Sequence, residues 1–226
     1  MQRLFRFGTL ALVMCLGLLV GQTFANSTAQ LTFVNVGPGN IAPTGVYAYP
    51  YYFSINGNTT LTPMMCDSYN NHIGFGESWT ASVHGILQGG MFGTSGPALM
   101  DYRAAGLIFL GVFNGQINPA LGNAAVWELF SGQNNGNSEA AVQALMSQYL
   151  GLAAVSPNSA FKGLKVYTAI GARPGYGPQE FIGYNPTVVP EPGTLSLIGS
   201  GLLGMAGVLR RKLQCKQVPH CPTARA

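Results

Sequence analysis

Apolar positions along this chain change period twice. Residues 31–36 alternate as a short strand does and stop at Gly37-Pro38-Gly39-Asn40. Residues 46–55, rich in Tyr and Phe, read as a second strand that closes at Asn56-Gly57-Asn58. Residues 59–66 suit its hairpin partner, and 79–87 is apolar at Trp79, Ala81 and Val83, again a strand pattern. From residue 98 to 113 the spacing becomes helical, with Leu99, Tyr102, Ala105, Leu107, Ile108 and Phe109. A second helix is expected from Pro119, well placed in a first turn, to about Phe130, with Gly132 ending it. Asn137 is the expected N-cap of a third helix through Tyr149, with Glu139 in its first turn and Gly151 closing it. Residues 165–170 and 180–184 return to strand character around a Pro- and Gly-rich loop at 173–178. Strands, helices, then strands predict an α+β fold, an antiparallel β-sheet or small barrel with a central group of about three helices.

The two ends read differently. Arg3 and Arg6 precede an apolar run at 10–20, and Thr23-Phe24-Ala25 puts small residues where a signal peptidase cuts, so 1–25 is an expected signal peptide. The run is too short for a comfortable membrane span. Cys15 suggests lipoprotein processing, but Met14 is large where that processing needs a small residue. At the other end Val189-Pro190-Glu191-Pro192-Gly193 leads into the uncharged stretch 194–209, then Arg210-Arg211-Lys212. The stretch is slightly shorter than the roughly 20 residues of a spanning helix. The cations after it act as a cytoplasmic stop. Pro190, Glu191, Pro192, the Gly-rich apolar segment and Arg210, Arg211, Lys212 together resemble the PEP-CTERM sorting signal of bacteria. That resemblance implies recognition by an exosortase, a membrane cysteine peptidase, with cleavage near Pro-Glu-Pro. The expected organisation is a signal peptide at 1–25, an exported domain at 26–188, a sorting segment at 189–212 with its membrane helix at 194–209, and a cytoplasmic or cleaved tail at 213–226.

Charge supports export over nucleic-acid binding. The basic residues gather at the two ends, leaving Arg103, Lys162, Lys165 and Arg173 in 26–189. Against them stand Asp67, Glu77, Asp101, Glu128, Glu139 and Glu180, a net of −2 with His neutral. No basic footprint for nucleic acid remains. With 47% hydrophobic and 8% charged residues, the chain has a core to build and too little charge for disorder.

Of four cysteines, Cys15 belongs to the signal peptide and Cys215 and Cys221 to the tail, which leaves Cys66 without an intramolecular partner. Two cysteines and His220 are too few for a closed zinc site in that tail. Asp67, His72, Glu77 and His84 match no ligand spacing. Trp79 and Trp127 read as core. Met64-Met65-Cys66-Asp67, then Tyr102-Arg103-Ala104-Ala105-Gly106-Leu107, then Asn123-Ala124-Ala125-Val126-Trp127-Glu128 resemble the bacterial thioester domain of surface adhesins. There a strand cysteine joins a glutamine at a Thr-Gln-x-Ala-Ile-Trp helix start. Here Gly122-Asn123 stands in place of Thr-Gln, and asparagine is one methylene short. Cys66 is therefore expected to be a buried free thiol, and Cys66 and Asn123 to be degenerate thioester-like positions.

The resulting expectation is a non-enzymatic surface or extracellular-matrix protein with no catalytic residue, cofactor or metal. Its partners are the signal peptidase, an exosortase-type enzyme, the membrane, and exopolysaccharide or another surface ligand. A covalent thioester adhesin and a Cys66-dependent hydrolase are the alternatives.

Overall fold

The structure is a computed structural model that describes residues 27–38 and 41–185. The signal peptide, the sorting segment with its expected helix at 194–209, and the tail lie outside the described residues. Among the described residues no helix is long and apolar enough to cross a membrane.

Six strands close into an antiparallel barrel: β1 (Ser27–Val36), β2 (Tyr51–Ile55), β3 (Thr62–Cys66), β4 (Ser78–Gly85), β5 (Leu164–Ala169) and β6 (Phe181–Tyr184). Their order around the barrel is β1-β2-β3-β6-β5-β4, so β4 returns to β1 and no strand edge is left open. Three helices enter between β4 and β5: α1 (Gly96–Phe113), α2 (Pro119–Ser131) and α3 (Glu139–Val155). The α+β expectation holds in its barrel form, with the helices inserted in chain order as the periodicity indicated.

Strand alternation sorts the apolar residues into two cores. One fills the barrel: Leu31, Phe33, Phe53, Met64, Cys66, Trp79, Tyr167 and Phe181 are among its members. Registers such as Phe33↔Phe53 and Leu31↔Trp79 bring these side chains into layers. The other lies between barrel and helices, where Met65, Leu164, Val166 and Ile182 meet Tyr102, Ala105, Ile108 and Phe109 of α1, Ala125 of α2 and Val142 of α3.

Local differences from the sequence reading have identifiable causes. The second strand begins at Tyr51, not Val46, because Pro50 has no N–H to give a ladder. The N-cap of α3 is Ser138; Asn137 instead donates to the Asn134 carbonyl, 3.0 Å away. Gly151 does not end α3, which runs on to Val155. Arg103 of α1 satisfies the carbonyls of that extra turn, donating to Ala153 O at 3.0 and 3.1 Å and to Ser156 O at 2.6 Å. Gly132 does terminate α2, in the left-handed conformation with φ 64°.

Candidate functional site

Cys66 ends β3 with its side chain in the barrel core and no exposed surface. Asn118 caps α2 by accepting from the backbone N–H groups of Ala120 and Leu121 at 3.0 and 3.2 Å, and Pro119 opens its first turn. This start directs Asn123 at β3. Its Nδ2 donates to the carbonyl of Cys66 at 2.8 Å, and its Oδ1 accepts from the backbone N–H of Tyr49 at 2.9 Å. The two motifs singled out from sequence therefore do meet, through the main chain of Cys66. The carboxamide is a buried clasp between α2, β3 and the segment before β2.

Gly122 shows why the threonine of the Thr-Gln pattern has no room here. A Cβ at that position would lie 2.3 Å from Cγ2 of Val112, where α2 packs against α1. One turn after Asn123, Trp127 enters the barrel core and meets the ring of Tyr69 at 5.3 Å. Its indole N–H makes no hydrogen bond of normal geometry, yet it lies near enough to the Cys66 sulfur to favour the thiolate. Burial outweighs it. Desolvation, and then the charge of Asp67, push the Cys66 thiol up to about 12, with only partial relief from Trp127 and Ser68.

Asp67, the next residue, belongs to a second group of polar side chains that the sequence reading missed. Asp67 and Glu180 are both fully buried. Their backbones meet where Asp67 N–H donates to Glu180 O at 3.2 Å, and Glu180 N–H donates to Ser68 Oγ at 2.6 Å. The Glu180 carboxylate accepts from Met91 N–H at 2.8 Å and from the hydroxyls of Tyr102 and Thr168. Tyr102 Oη in turn accepts from Phe92 N–H at 3.1 Å. Gly90 permits this approach: a Cβ there would lie 2.5 Å from Tyr102 Oη and 2.7 Å from Glu180 Oε1. Neither carboxyl oxygen of Asp67 receives a hydrogen bond of normal geometry; its own N–H gives it only weak relief. Burial first, and Glu180 second, hold the Asp67 carboxyl well above the usual carboxylate range.

A cavity of about 240 Å³ opens beside this group, lined by Ser82, His84, Gln88, Gly90, Met91, Thr94 and Thr168. Thr168 and Met91 are also donors to Glu180. His84 is held below its usual value by desolvation, against the opposing pull of Glu180. His72 and Glu77 are exposed and Asp67 is buried, so the four residues weighed as metal ligands do not converge. Among the described residues no three His, Cys, Asp or Glu side chains form such a set. The missed residue with a sequence signal is Glu180, a carboxylate leading into the apolar pair Phe181-Ile182 in a chain that has few charges.

The organisation of the chain marks it as an exported protein whose destination is written in its C-terminal segment. Residues 188–212 match the PEP-CTERM protein-sorting motif, and this match includes Pro190, Glu191, Pro192, Arg210, Arg211 and Lys212. The motif makes the protein a substrate for sorting by an exosortase, a membrane enzyme, and implies export with membrane-anchored sorting. No curated protein and no solved structure matches the chain at a significant level. The likeness to thioester domains rests on its short motifs alone.

Proposed function

We propose that the exported domain is a non-enzymatic binding or structural module of the cell surface or extracellular matrix, delivered there by the PEP-CTERM segment. The observation that carries this reading is the state of Asn123. Both polar ends of its carboxamide are used by main-chain groups of Cys66 and Tyr49 inside a sealed core. The thiol beside it is buried and held up to about 12. A nucleophilic cysteine needs a thiolate and a nearby base. The groups that act on this thiol are Asp67, Trp127 and Ser68, with no histidine among them. Exopolysaccharide or another surface component is the ligand class we assign to the module.

The covalent reading keeps one observation in its favour, the packing of Asn123 directly against Cys66. Intact-mass measurement of wild type and Asn123→Gln separates the two. A thioester releases one ammonia, so both proteins should keep their full mass. Loss of one ammonia in wild type would replace the binding-module reading with covalent adhesion. For sorting, changing Arg210, Arg211 and Lys212 together to alanine should displace the protein from its normal cell fraction, because the cations hold the segment's orientation. Unchanged fractionation would remove their stop-transfer role.

A further inference from the structure

We propose that Asp67 and Glu180 share a single proton, carried on Asp67 and directed at Glu180, and that this proton is a latch joining β3, β6 and α1. Hydrogen-bond supply distinguishes the two carboxyl groups. Glu180 takes three donors, from Met91 N–H, Tyr102 and Thr168, which is the environment of an ionised carboxylate. Asp67, whose N–H bonds the Glu180 carbonyl, interacts with that carboxylate and has both oxygens buried with no donor of normal geometry. A carboxylate in that position would be a second buried anion, bare and beside the first, with no arginine or lysine on either. A carboxylic acid in the same position has an O–H to donate and needs no donor of its own. One proton thus satisfies both residues.

The latch faces charged or titratable groups from every side. They are Cys66 at the end of β3, Tyr102 on α1, Glu180 just before β6, and His84 on β4 with Lys165 of β5 near it. Lys165 acts on His84 and is not among the groups that act on Asp67. The consequence is a fold whose stability declines as pH rises. Unfolded, Asp67 loses its proton near its ordinary value of about 4. Folded, it keeps the proton to a higher pH. Between these two limits the native state binds one proton more, so stability is full below the unfolded value and falls as pH climbs. One proton corresponds to about tenfold in the unfolding equilibrium constant per pH unit. His84 acts with the opposite sign. Its depressed value favours the native state above its unfolded value of about 6.5 and costs stability below it.

The test is the unfolding equilibrium of the full chain in detergent between pH 5 and 8, in a His84→Gln background and in the same background with Asp67→Asn. Asparagine mimics the protonated acid, since its amide N–H donates to Glu180. The Asp67→Asn protein should lose the downward slope with pH and equal or exceed its parent at pH 8. An unchanged slope, or lower stability than the parent at pH 8, would overturn the latch. Infrared spectroscopy of wild type at pH 7 supplies a readout that needs no folded variant. A buried protonated carboxyl band should be present in the native protein and vanish on unfolding, and its absence would equally overturn the proposal.

Discussion

Cys66 and Asp67 are neighbours in sequence and occupy opposite faces of the same strand end. Cys66 turns into the barrel among Phe53, Trp79, Trp127 and Phe181. Asp67 meets Glu180, whose carboxylate accepts from Tyr102 and from the N–H of Met91 in the loop after β4. One face suppresses chemistry chiefly by burial, since a desolvated thiol resists ionisation. The other concentrates polar groups and survives by satisfying them. The difference shows that the residue with the more reactive name sits in the more inert place.

The comparison can be broken from either side. On the barrel face the largest effect should come from Trp127→Ala, which empties a buried indole site and should cost about 3–5 kcal/mol in a denaturant titration. Asn123→Ala should follow. It strips partners from Tyr49 N–H and Cys66 O, and each orphaned buried group costs about 1–3 kcal/mol. If Asn123→Ala proves neutral, the clasp is not what holds α2 to β3. On the opposite face, Tyr102→Phe removes a donor from Glu180 and an acceptor from Phe92 N–H, for an expected loss of about 1–3 kcal/mol. Cys66→Ala should be the mildest, about 1 kcal/mol for a group near methylene size. It should also leave surface retention of the protein unchanged, as measured by fractionation. A retention defect in a Cys66→Ala protein of normal stability would mean that the thiol does more than pack.

Much of this was legible from the chain. Alternation and helical spacing locate all six strands and all three helices, because each pattern is local; the start of β2 and the end of α3 are the largest misses. Cys66 and Asn123 could be paired in advance because both carry motif neighbours. The extent of α3 was not legible, since the cap on its last carbonyls is Arg103, on another helix. Nor was the group at Glu180. Ser68 and Glu180 are 112 residues apart, and what joins them is the β3–β6 pairing that closes the barrel. Periodicity can say that a strand exists, but not which strand will lie beside it.

The central claim is that Cys66 is a sealed, free thiol in a module that works without covalent chemistry. Its most direct test is alkylation of the mature protein followed by mass mapping of the peptide that contains Cys66, which also separates it from Cys215 and Cys221. The native protein should leave Cys66 unmodified at pH 8, and unfolding should expose it as one fully reactive thiol on a peptide of unaltered mass. A Cys66 peptide that reacts readily in the native state, or that stays blocked after unfolding and lacks the mass of one ammonia, would contradict it.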